Sequence, residues 1–171
     1  EIKDKLPQPK TILTYGTCAN GETMLNFLLM GEIKINGKIH RVSPQEWGLV
    51  VIYHNYLKNL PTEWDSENLQ KAIQLRIEEK IEECYMEVNH LPKFQKKILN
   101  SIFNRDLNPE VKELALSMIK REQQSLKKLS PIYWASQIQN KVFIIHGAND
   151  SMVPFTESIQ LSEILPNSEL F

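Results

Sequence analysis

Asp150 is the side chain in this sequence whose position offers the clearest chemistry. It closes the string His146-Gly147-Ala148-Asn149-Asp150, which follows the apolar run Val142-Phe143-Ile144-Ile145 and precedes Ser151-Met152-Val153-Pro154. An apolar run that stops in such a turn and then enters a helix can present a carboxylate at the end of a strand. The commonest work of an aspartate there is to accept backbone amide hydrogens within the turn, and the residues alone favour that reading. His146 is tempting as a base, yet its place at the end of a buried strand favours a structural role.

Other reactive side chains form no pattern. His40, His54 and His90 are scattered, with no H-E-x-x-H and no two-histidine helical spacing, so no metal site is expected. Cys18 and Cys84 are far apart and make no C-x-x-C, which argues against zinc or redox chemistry and favours a reducing compartment such as the cytoplasm, although a single disulfide stays open. Gly16 and Gly21 are not followed by G-K-[ST], so there is no phosphate loop and no cofactor is expected. No G-x-S-x-G nucleophile elbow occurs anywhere.

The elements that must position Asp150 can be read from periodicity and punctuation. Val142 to Ile145 is the continuous kind of run that is buried on both faces of a parallel sheet. Pro154 suits the first turn of a following helix with Ile159, Leu161, Ile164 and Leu165 inward, stopped by Pro166-Asn167. At the other end, after a lead-in bearing Pro7 and Pro9, Thr11 to Tyr15 reads as a short strand ending at Gly16. Gly21 to Met30 reads as a helix ended by Gly31. Glu32 to Val42 alternates around Asn36-Gly37, a strong hairpin signal.

Between the two strands the chain reads as helical. Ser43-Pro44-Gln45-Glu46 carries an N-cap, a first-turn proline and a capping-box glutamate, opening a helix from Trp47 to about Leu57. Leu69, Ile73, Ile77, Ile81, Cys84, Tyr85 and Val88 predict one long amphipathic helix between Asp65 and Leu91. Phe94 to Phe103 forms a shorter piece. A second long helix is expected from Asn108-Pro109 to Leu129, with Val111, Ala115, Met118, Leu126 and Leu129 on its apolar side.

With 42% hydrophobic and 24% charged residues in 171, the chain fits one globular domain, or one domain plus a lid. A net charge of -1 leaves no basic footprint for nucleic acid and no polybasic membrane patch. The longest apolar stretch, around Gly48 to Tyr53, is too short to span a bilayer. The residues Glu1-Ile2-Lys3-Asp4 do not resemble a signal peptide, and the start of the gene product is expected elsewhere.

The segment Lys141 to Phe171 closely resembles the late part of the α/β-hydrolase fold, where a strand reading roughly P-V-L-I-I-H-G-x-x-D-x-x-V-P carries the acid of the catalytic triad. Leu129-Ser130-Pro131, Ile138 and Lys141-Val142 resemble the approach to that strand, and Leu165 to Phe171 resembles the start of the family's last strand. The resemblance implies that Asp150 is the triad acid, and that His146 occupies a position the family often fills with histidine without using it as the general base. It further implies a partial α/β-hydrolase fold, with two or three strands of a mostly parallel sheet and a large helical cap insertion. Residues 1–30 would give a core strand and helix, 31–129 the cap, and 130–171 the core segment bearing the acid.

The function implied is that of a serine hydrolase acting on carboxylic esters or related acyl substrates through an acyl-enzyme, although some relatives use an aspartate nucleophile on haloalkanes or epoxides. Serine and histidine would come from the remainder of the hydrolase core, so this chain alone is expected to be inactive. Trp47, Tyr53, Tyr56, Trp64, Tyr85, Met86 and Trp134 either line an apolar acyl pocket under the cap or serve as plain core. A reading from another class is a non-catalytic hydrolase-like or helical interaction module that binds a protein or lipid partner.

Overall fold

Residues 9–60 and 62–171 are described by a computed structural model, so Pro7 and the rest of residues 1–8 lie outside the described residues. Strand β1 (Thr11–Tyr15) stops at Gly16, whose φ of +54° turns the chain away. Helix α1 (Gly21–Met30) is capped by the Asn20 side chain, which accepts from the Glu22 amide. It ends at Gly31, left-handed at φ +66°, whose amide donates to the Phe27 carbonyl. Asn36 and Gly37 both take positive φ and join β2 (Glu32–Ile35) to β3 (Lys38–Arg41) as the expected antiparallel hairpin.

Helix α2 (Trp47–Tyr56) departs from the expected capping box. Its start has no side-chain cap, and the Gln45 amide donates to the Ser151 carbonyl at 2.8 Å, tying the approach to α2 to the loop that carries Asp150. The long helix expected between Asp65 and Leu91 is two helices, α3 (Glu67–Ile77) and α4 (Ile81–His90). Glu79 adopts φ +58° between them and the Lys80 amide reaches back to the Leu75 carbonyl at 3.0 Å, a left-handed helix ending made without glycine. Helix α4 then folds against α3, with Cys84 Sγ 3.3 Å from the Ala72 carbonyl and Lys71 Nζ 2.7 Å from Glu87.

Helix α5 (Lys93–Asn104) is the expected shorter piece. The second long helix is likewise divided, at Glu122, into α6 (Pro109–Arg121) and α7 (Gln123–Leu129). Asn108 caps α6 through Oδ1, which accepts from the Val111 amide. Leu129, expected on the apolar side, is 73% exposed because the chain changes direction before it. Strand β4 (Lys141–Ile145), helix α8 (Phe155–Ile164, with Pro154 at its N-cap) and strand β5 (Ser168–Leu170) complete the chain.

β1 pairs with β4 in parallel, Thr11 opposite Lys141 and Tyr15 opposite Ile145, and β5 pairs with the other side of β4, also in parallel. The result is the expected mixed α/β architecture, a three-stranded parallel sheet in the order β1-β4-β5 with a large helical excursion between its first two members. Two apolar clusters form among the described residues. The larger joins α1, α2, α3, α5 and α6 around Phe27, Leu49, Tyr53, Ile73, Leu99 and Met118. The smaller, with Val142, Ile144, Ala135, Leu161 and Leu165, lies between the sheet and α8.

Among the described residues the sheet is therefore covered on one face, not two. Val142 and Ile144 are buried, while Leu13 and Tyr15, which share the opposite face with Phe143 and Ile145, are 66% and 77% exposed. The alternation of a strand sends successive side chains to opposite faces, and α8 packs on just one of them.

The close approach at the end of α1 gives a direct stability test. A Cβ at Gly31 would meet the Val42 carbonyl oxygen at 2.7 Å, whereas one at Gly37 (φ +79°) would meet nothing within 4 Å. Gly31→Ala is expected to cost about 3 kcal/mol and Gly37→Ala roughly 1 kcal/mol, the left-handed penalty alone. Urea unfolding ranks the two, and equal losses would contradict the packing described.

Candidate functional site

The turn after β4 is built by its own hydrogen bonds. The Asp150 amide donates to the Gly147 carbonyl at 3.0 Å, and Asp150 Oδ1 accepts from the amides of Met152 and Val153 at 2.8 and 3.0 Å. Asp150 thus does the turn-closing work expected of an aspartate here, but with one oxygen. The other oxygen, Oδ2, faces the end of β1, where it lies 3.3 Å from the position a Cβ would take on Gly16. Parallel pairing makes this possible, because the Gly16 amide continues the ladder onto the Ile145 carbonyl at 2.9 Å and so fixes the end of β1 beside the turn.

His146 is inside the same construction, its side chain 1% exposed. Nε2 lies 2.8 Å from the Val153 carbonyl and 3.6 Å from Asp150 Oδ2, and Nδ1 lies 2.5 Å from Ser158 Oγ on α8. The expected structural role fits this burial. The two ends of the Val153 peptide neighbourhood are held by two different side chains, its amide by Asp150 and its carbonyl by His146.

A buried carboxylate that no motif singles out braces the other side of the site. Glu157, 1% exposed in the first turn of α8, accepts through Oε2 from the amides of Ala19 and Asn20 at 3.0 and 2.8 Å and through Oε1 from Thr23 Oγ1 at 2.6 Å. It is an anion seated at the amino end of α1, where unpaired amides and the helix dipole favour negative charge. Ser130 makes a second such tie: Oγ accepts from the Gly21 amide at 2.9 Å and donates to the Leu126 carbonyl at 2.6 Å. An acidic residue in the first turn of a helix reads as complementing its own helix, and nothing in the pattern points to a different one.

Cys18 completes the Glu157 cluster, its Sγ 3.7 Å from Oε2. Burial first, and then the negative charge of Glu157, push its thiol up to about 12, so it is no candidate nucleophile. Both cysteines are free. Among the described residues no group of three or more His, Cys, Asp or Glu side chains could hold a metal ion, and no helix is long and apolar enough to cross a membrane.

The aromatic residues weighed as a pocket lining are not gathered around Asp150. Tyr53 is fully buried in the larger cluster, Trp47, Tyr56 and Trp64 pack against it, and Tyr85, Met86 and Trp134 stand at the surface. A groove of about 330 Å³ lies between α1, the β2–β3 hairpin and α8, walled by Phe27, Met30, Ile33, Ile39 and Pro154, and Asp150 is not part of it.

Cys18 reports on this cluster. Folded Cys18 keeps its proton to higher pH than an ordinary thiol near 9, so the stability linked to it is complete below about pH 9 and is lost as pH rises toward 12. Glu157→Gln removes the charge and is expected to lower the thiol pKa by about one unit, raising native-state alkylation of Cys18 about tenfold near pH 8. Peptide mass spectrometry after iodoacetamide labelling reads this, and an unchanged rate would contradict the contact.

Comparison with known proteins adds one result at the level of family. Residues 85–165, just under half of the chain, match the model of the BD-FAE family, which is associated with α/β-hydrolase-like esterases. No curated protein matches the chain. The matched region runs from α4 through α8 and includes β4, His146 and Asp150. What this part of the molecule is similar to is thus a hydrolase-like family.

Proposed function

We propose that the chain is the cap and C-terminal portion of an α/β-hydrolase that cleaves carboxylic esters or related acyl substrates through an acyl-enzyme, with Asp150 as the acid of its triad. The observation that carries this reading is the division of labour within one carboxylate. Oδ1 is locked by two amides while Oδ2 faces the end of the neighbouring parallel strand. A carboxylate so held can accept a hydrogen bond from the Nδ1–H of a catalytic imidazole, fix its tautomer and stabilise the imidazolium formed as the nucleophile attacks. Nucleophile and imidazole would come from other segments of the protein, since the sequence contains no G-x-S-x-G.

The sheet supports the same reading. Among the described residues β1 is an edge strand, and the face bearing Leu13, Tyr15, Phe143 and Ile145 is apolar and largely open. Exposed edges and apolar faces of this kind call for cover, and further core strands and helices of the same protein would supply it. On this reading residues 31–129 are the cap, residues 1–30 and 130–171 belong to the core, and the similarity of residues 85–165 to an esterase-associated family points to acyl chemistry.

In the intact protein, Asp150→Asn is expected to lower kcat on a short-chain aryl ester by about 10⁴-fold while KM changes little, because the loss is of transition-state stabilisation. Steady-state kinetics measure it, and unchanged turnover would remove Asp150 from the mechanism.

A further inference from the structure

We propose that His146 is a positioning residue for the acid: a buried imidazole, protonated at Nε2, that holds the turn of residues 147–153 and so fixes where Asp150 points. The proposal rests on the reading of Asp150 as the triad acid. Its basis is the environment of the ring. Nε2 faces two acceptors, the Val153 carbonyl oxygen at 2.8 Å and Asp150 Oδ2 at 3.6 Å, and neither can donate, so Nε2 must carry the proton. Nδ1 is engaged by the hydroxyl of Ser158, which is fully buried on α8. The backbone of His146 is fixed as well, its amide 3.3 Å from the Phe171 carbonyl at the end of β5.

The ring therefore connects three bodies. Its backbone belongs to the end of β4, Ser158 ties it to α8, and Val153 ties it to the far end of the turn. Asp150 holds the Val153 amide while His146 holds the Val153 carbonyl, so the Val153 end of the turn cannot shift without breaking a hydrogen bond. Without the imidazole, the Val153 carbonyl and the Ser158 hydroxyl would have to find new partners, and the turn would relax. Misplacement of a reacting group by about 1 Å is enough to cost about 10²-fold in rate.

In the intact protein, His146→Leu is expected to lower kcat about 10²-fold with KM within about threefold. His146→Gln, whose amide nitrogen reaches the place of Nε2 and keeps a donor for Val153, should recover about tenfold of that loss. Because His146 acts through Asp150, His146→Leu should cost almost nothing further when added to Asp150→Asn. Independent, multiplying losses, or a glutamine variant no better than leucine, would overturn the proposal. If His146→Leu does not fold, Ser158→Ala carries the same test with an expected loss of about threefold to tenfold, again absent beside Asp150→Asn. Histidine-labelled NMR of the intact protein supplies the arm that needs no turnover: Nε2 of His146 should be protonated, and its signal should shift in Asp150→Asn. If Asp150→Asn leaves activity intact but moves that signal, the acid reading fails while the contact stands. A deprotonated Nε2, or a signal indifferent to Asp150, sinks the positioning role itself.

Discussion

The parallel pairing of β1 with β4 is the constraint on which the rest depends. It joins the two ends of a helical excursion formed by residues 16–140, and the length-dependent part of closing a loop of that size costs about 4 kcal/mol. Five residue pairs in register and the burial of Val142, Ile144 and Leu161 between the sheet and α8 offset this, each buried aliphatic side chain contributing roughly 1.5–3 kcal/mol. The same pairing brings Gly16 against the carboxylate of Asp150, a residue distant from it in sequence. Shift the register by one residue and Tyr15 would turn into the small cluster while the end of β1 left the turn.

Polar groups hold the excursion to the sheet. Glu157 and Ser130 both serve the amino end of α1, one from α8 and one from the segment entering β4, so the helix that leaves the first strand is fastened to elements flanking the second. A buried carboxylate is tolerated because its oxygens meet amides, a hydroxyl and a thiol; an apolar residue there would leave those donors unpaired. The Gln45 amide on the Ser151 carbonyl adds a third link, from the approach to α2 directly to the Asp150 turn. The helical region is thus tied to the turn from more than one side.

Much of this was legible in the residues. Asn36-Gly37 specified its hairpin, Gly31 its helix end, and the punctuation around Val142 to Ile145 a strand followed by a turn and a helix. The breaks at Glu79 and Glu122 were not, because two helices that face one core repeat the same three-to-four spacing as one continuous helix, and neither break carries glycine or proline. The open face of the sheet was missed for a related reason: Phe143 and Ile145 have the composition of buried residues whether or not this chain supplies their cover. Glu157 was invisible because its meaning lies in α1, remote in sequence. Asp150 could be singled out, since its surroundings form one continuous stretch, but the orientation of Oδ2 toward β1 needed the pairing.

These features make one account: a sheet segment, held together across a helical insertion, that turns one oxygen of a carboxylate toward the end of its neighbouring strand. The most direct test is a crystal structure of the intact protein trapped with an organophosphonate. The account predicts a phosphonylated nucleophile and an imidazole with a ring nitrogen about 3 Å from Asp150 Oδ2. An imidazole paired to a different carboxylate, with Asp150 Oδ2 left to solvent, would contradict it.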